Sequence, residues 1–172
     1  MAKFSVSADG KLAVSASETS SKSDFDYLIG RWSIKNRTLE RTLAGSDAWK
    51  DFEATQECSR ILLGQGNFDL FRTELDGKPF EGLTVRLFEP RTRLWTIYWA
   101  DSNAMQLDDG KVGSFDGDEG DFFGREVIGD KEVVVRFHWD KREPESPIYS
   151  RAFSADSGRT WEWNWYSRFS PR

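Results

Sequence analysis

The sequence predicts an all-β protein, a closed antiparallel up-and-down barrel of about ten strands preceded by a short N-terminal helical turn. Three observations carry this. Short runs of alternating apolar and polar residues recur from Arg31 to Phe169. Turn-forming segments separate them: "GQG", "DGKP", "EPRTR", "DDGKVG", "DGDEG", "GDK" and "ADSG". No stretch after Gly30 keeps a helical period. A meander this long closes or splits, because long open edges invite aggregation. The closed barrel is the first expectation and a two-sheet sandwich the second.

The elements follow in order. Residues 1–23, "MAKFSVSADGKLAVSASETSSKSD" up to Asp24, carry Lys3 but no continuous apolar stretch of signal-peptide length. The part from Ala13 to Ser23 is rich in Ser and Thr and poor in large apolar residues, which reads as a flexible tail. Residues 24–172 then form a single domain, as a chain of 172 residues allows. Ser23 or Asp24 caps a helical turn with Phe25, Leu28 and Ile29 on its apolar side, and Gly30 stops it. The strand runs are "RWSIKNRTL", "WKDFEATQECS", "NFDLFRTEL", "FEGLTVRLF", "RLWTIYWAD", "NAMQLD", "GDFFGREVI", "EVVVRFHW", "PIYSRAFS" and "TWEWNWYSRF".

Alternation assigns the faces. Trp32, Ile34 and Asn36 point one way from the first strand. Phe52, Ala54, Gln56 and Cys58 do so from the second. In the last strand Trp161, Trp163, Trp165 and Phe169 share a face. The interior is therefore aromatic with occasional amides, in keeping with 8 Trp, 13 Phe and 4 Tyr. "RLWTIYWAD" is apolar in both phases, so something covers its outer side, either the N-terminal segment or a second copy in a homodimer.

Composition excludes several classes. With 24 basic and 29 acidic residues interspersed, the net charge of −5 offers no basic stripe for nucleic acid. No apolar run reaches membrane-spanning length. One cysteine excludes an internal disulfide, and one Cys with one His excludes the usual zinc site, so no metal or cofactor is expected and the setting reads as cytoplasmic. Cys58 reads as a buried, inert thiol, and His138 as an outward, solvated side chain. "FDGDEGD" lacks the spacing of an EF-hand loop and reads as a hairpin turn.

"SADSGRTW", Ser154 to Trp161, has the S-x-D-x-G-x-T-W form of the Asp box that sialidases carry in several copies. Here a single copy in a chain too short for a propeller reads as a turn: Asp156 accepts backbone N–H groups, Gly158 takes positive φ and Trp161 packs beneath. "GRW", Gly30 to Trp32, resembles the G-x-W signature of the lipocalins, in which a late arginine packs across the Trp; Arg168 is the counterpart here. Further segments, "DFDYLIGRW", "LLGQGN", "GLTVRLFEP", "WTIYWAD", "AFSADSGRTWE" and "NW", resemble an uncharacterised bacterial family of lipocalin-like proteins over nearly the whole folded part. That resemblance implies a calycin-type barrel and no established activity.

Polar residues on inward phases are the functional candidates, because buried amides and charges are costly unless paired. They are Asn36, Gln56, Asp101 and Arg151; an Arg151–Asp101 ion pair is one way to satisfy them, a ligand the other. The leading expectation is a small-molecule binder with an aromatic cavity. Trp99, Trp163 and Trp165 stack on a compact, partly flat ligand, and Asn36, Gln56 and Arg151 orient its polar end, where an inward Arg151 favours an anionic group. The alternatives are an isomerase, cyclase or lyase with Asp101 as acid or base, and a fully packed barrel acting through a protein interface.

Overall fold

The computed structural model describes residues 3–172 and shows a closed antiparallel barrel of ten strands with a separate two-stranded hairpin. The hairpin pairs β1 (Lys3–Val6) with β2 (Leu12–Ser15). The barrel strands are β3 (Gly30–Leu39), β4 (Trp49–Ile61), β5 (Gly66–Leu75), β6 (Lys78–Glu89) and β7 (Leu94–Asp101) in the first half. The second half is β8 (Lys111–Asp116), β9 (Glu119–Ile128), β10 (Lys131–Asp140), β11 (Ile148–Ser154) and β12 (Glu162–Pro171). Each strand pairs with its neighbours in sequence, and β12 returns to β3, with Phe169 opposite Ile34, so no edge is left open. Among the described residues no helix is long and apolar enough to cross a membrane.

Three local expectations are corrected. Residues 3–15 form the β1–β2 hairpin where a flexible tail was expected; Met1 and Ala2 lie outside the described residues. The hairpin is fixed by Phe4, which stacks on Phe123 at 4.1 Å between ring centres and meets Trp161 at 5.9 Å. Next, no capped helical turn precedes β3. A lone 3-10 turn, Asp26–Leu28, stands there without a side-chain cap, because the Asp24 carboxylate instead accepts the Ser21 N–H at 2.8 Å. Finally, "NAMQLD" is a loop rather than a strand, and β8 lies in what read as the turn "DDGKVG". The inward positions of β8 start with Lys111 and Gly113, so it has no apolar alternation to detect.

Segment 16–29 closes one end of the barrel. Phe25 inserts between Phe115 and Trp95, edge-on at 5.0 and 5.1 Å, and burying such a ring stabilises the fold by about 1.5–3 kcal/mol. Trp32 donates its indole N–H to the Leu28 carbonyl at 2.7 Å and meets Phe169 edge-on. The expected arginine lid on Trp32 is absent: Arg168 reaches Ser146 on the outside at 3.2 Å. Arg93 holds the strap from below, donating to the carbonyls of Ser17, Glu18 and Ser20. Strands β5 to β7 turn a half-buried apolar face outward, with Phe68 opposite Val85 and Val85 opposite Tyr98.

The turn of Ser154 to Trp161 is built by its own side chains. Asp156 accepts the N–H groups of Arg159 and Thr160 and the Thr160 hydroxyl, while Gly158, at φ +87°, donates to Ser154 Oγ at 2.8 Å. The Thr160 hydroxyl bond, ahead of the backbone ones, holds the Asp156 carboxyl well below its ordinary range.

Candidate functional site

A cavity of about 390 Å³ occupies the barrel between the Phe25 plug and the opposite rim, so the interior is not fully packed. Its rings come from alternate positions of nearly every strand: Phe71 and Phe80, Trp99, Phe137, Tyr149 and Trp165 form the walls. Trp99 lies flat against β6 because residue 82 is glycine; a Cβ there would sit 2.1 Å from the indole ring. Such a cavity suits a small ligand, with flat apolar walls and polar groups towards its two ends.

At the closed end the floor is formed by Gln56, Thr84 and Arg86 among Ile34, Ile97 and Trp139. Arg86, 3 % exposed, donates to Asp69 at 2.5 Å and to Asn67 at 2.9 Å, and its guanidinium lies 5.2 Å from the Phe25 ring centre. Burial pushes the Asp69 carboxyl up despite the adjacent guanidinium. Burial alone would lower Arg86, but Asp69 outweighs it and keeps the guanidinium charged. Among the described residues two side-chain donors on this floor have no partner, Gln56 Nε2 and Arg86 Nε.

Towards the open end the polar groups are Asp101, Asp108, Glu126 and Arg151. The carboxylates are already engaged. Asp101 accepts the Trp99 indole N–H at 3.0 Å and the backbone N–H groups of Asn103 and Ala104. Burial favours its neutral form, but the Ala104, Trp99 and Asn103 bonds outweigh it and hold the carboxyl below its ordinary value. Asp108 receives Lys111 Nζ at 2.5 Å, and Glu126 receives the same ammonium. Arg151 differs: among the described residues its one hydrogen bond is from Nε to Asn164 Oδ1, at 2.8 Å. Its guanidinium lies 5.2 Å from the Trp165 ring centre, and burial lowers its pKa from the ordinary value. The Arg151–Asp101 ion pair, one of the two ways to satisfy these residues, does not form.

The structure thus brings Gln56, Trp99, Asp101, Arg151 and Trp165 to one cavity. Asn36 is buried in its wall, where Oδ1 accepts from Ser167 Oγ at 2.6 Å and Nδ2 has no partner among the described residues. Trp163 lies on the outer surface, beside Arg136 and His138. Its phase was misassigned because β12 carries a bulge: Arg151 faces Trp165 but Ala152 faces Trp163, so Asn164 is an extra residue that inverts the alternation. His138 does face outward, yet it is not simply solvated, since Nδ1 lies 2.9 Å from Asp121 Oδ1. Cys58 is buried, and that burial pushes its thiol up to about 12, as an inert cysteine requires.

Arg86, Asp69 and Asn67 escaped sequence reasoning. On β5 and β6 the inward phase mixes Asn67, Asp69, Thr84 and Arg86 with Phe71 and Phe80, and the aliphatic phase, Leu70, Leu83 and Val85, faces outward, opposite to the usual rule. The available signal was an acid and a base on adjacent runs, Asp69 and Arg86, each flanked by apolar residues.

No family model matches the chain, and no curated protein matches it. Among solved structures the chain is similar to Rv2717c from M. tuberculosis, with a TM-score of 0.50 at 15 % sequence identity. The match covers 87 % of this chain and 97 % of that one. At this identity the likeness shows a shared barrel fold.

Proposed function

We propose that this barrel binds a small, flat, anionic molecule in its aromatic cavity. The observation that carries the reading is Arg151: a guanidinium on the cavity wall that among the described residues lacks a carboxylate partner, while the lining acids, Asp101, Asp108 and Glu126, are engaged elsewhere. A guanidinium with its terminal nitrogens uncommitted recognises a carboxylate by two parallel hydrogen bonds. Trp99 and Trp165 supply the flat walls, and a volume of about 390 Å³ takes a ligand of one or two rings.

Tryptophan quenching by 2-naphthoate and by its neutral isostere 2-naphthamide tests the reading. Saturable quenching with the naphthoate bound more tightly supports it, and no saturable quenching by either removes it. Native mass spectrometry of protein purified from its own host then looks for a retained acid. The half-buried apolar face of β5 to β7 favours a homodimer in which two such flat faces pack together. Sedimentation at tens of micromolar should show a dimer that Val85→Lys dissociates; a monomeric parent protein would end that reading.

A further inference from the structure

The floor of the cavity constrains the other end of the ligand. Gln56 is 6 % exposed and Arg86 3 %, both line the cavity, and Gln56 Nε2 and Arg86 Nε are donors with no acceptor among the described residues. A buried donor left unpaired is destabilising, so a floor with two of them is incomplete as it stands. Charge decides what completes it. Asp69 already neutralises Arg86 at 2.5 Å, so a second carboxylate would be an excess buried charge, whereas an uncharged acceptor adds hydrogen bonds without adding charge.

From this geometry, and resting on the cavity reading above, we infer that the ligand is bipolar: its anionic group meets Arg151, and its inner end is an uncharged hydrogen-bond acceptor, such as a ketone or amide carbonyl, read by Gln56 with Arg86. The floor thereby sets both the orientation of the ligand and its selectivity. An aromatic acid without a distal acceptor fills the walls equally well and leaves the floor donors unpaired.

Two probes of nearly equal shape test this, 6-acetyl-2-naphthoate and 6-isopropenyl-2-naphthoate, which differ at C=O against C=CH2. Titrated into the full chain with tryptophan quenching as readout, the acetyl probe should bind about tenfold more tightly. Gln56→Met keeps the side-chain volume and should reduce that ratio towards one without loosening the isopropenyl probe. A further readout needs no variant: the carbonyl stretch of the bound acetyl probe should shift to lower frequency than in an aprotic solvent. Equal affinities for the two probes in the parent protein overturn the inference and leave the cavity reading standing. A preference that survives Gln56→Met also overturns the assignment to Gln56. Binding of neither probe ends the cavity reading itself.

Discussion

Two arginines enter the same barrel and are held in opposite ways. Arg86, at the closed end, meets the Asp69 carboxylate, the Asn67 amide and the faces of Phe25 and Trp139. Arg151, towards the open end, has the Asn164 amide and the rings of Phe153 and Trp165, and among the described residues no carboxylate within ion-pair distance. The first is a charge neutralised on the spot, whose loss of partner is a structural event. The second is a charge kept available, and its missing counterion is what a ligand can supply. The difference gives the cavity a direction, with a neutral donor floor and a cationic upper wall.

The largest expected effect breaks the first half of that comparison. Asp69→Ala strands a buried guanidinium and should cost about 3–5 kcal/mol of unfolding free energy in a urea titration. Adding Arg86→Met should recover much of the loss, because replacing both partners by apolar groups removes the stranded charge. A cost below about 1 kcal/mol for Asp69→Ala would mean that Arg86 is not locked, and the two arginines would then be alike.

A smaller effect is expected at the wall between them. Gly82→Ala places a methyl group 2.1 Å from the Trp99 ring, so the indole must move into the cavity. Overpacking of this kind costs about 1–3 kcal/mol, and it should narrow the cavity so that naphthoate binding weakens as well. Normal binding with a normal melting temperature would show that Trp99 moves freely and is no fixed stacking wall.

Acid exposes a third, weaker dependence, remote from both arginines. The Asp156 carboxyl is held below its ordinary value of 3.8 by the Thr160 hydroxyl and backbone bonds of its turn. A depressed folded pKa adds stability that is complete above the unfolded value and is lost as pH falls through the folded one. The melting temperature should therefore drop below pH 3.8, and less steeply in Asp156→Asn. An unchanged acid slope in that variant would place the dependence on other carboxylates, Asp121 first, which the His138 and Arg136 bonds hold down against its burial.

The barrel was legible because most of its strands obey alternation and its turns carry Gly, Asp and Pro. The inward phases of β3 and β4 and the outward turn of His138 were read correctly, as were the burial of Cys58 and the placing of Gln56, Trp99 and Arg151 in the interior. Failures came where one residue breaks the count. Asn164 inverts β12 and sends Trp163 outside, and Lys111 with Gly113 hides β8. The ion pair of Asp69 and Arg86 was invisible for a different reason. Alternation assigns charges to solvent, and only the register that sets Asn67 opposite Arg86 and Asp69 opposite Thr84 shows them meeting inside. The N-terminal hairpin owes its place to Phe4, a single ring in a stretch whose composition suggests a tail.

The smallest stability effect and the sharpest functional one are expected together, at Arg151. Arg151→Met keeps apolar bulk against Trp165 and removes the cation. No carboxylate is stranded, since among the described residues the guanidinium's hydrogen-bonded partner is Asn164 Oδ1. The unpaired amide oxygen costs something, and relief from burying a charge offsets it, so the net change should stay within about 1 kcal/mol. Binding should respond differently. A charge-assisted pair lost from a cavity weakens 2-naphthoate by about ten- to a hundredfold, while 2-naphthamide, which never used the charge, should change little. The naphthoate preference is thus the quantity that separates Arg151 from Arg86. If Arg151→Met instead unfolds the barrel, the guanidinium is a structural charge like its counterpart, and Glu126 or Glu162 must be its true partner. If the variant is stable and binds both compounds as before, the anion site lies elsewhere in the cavity.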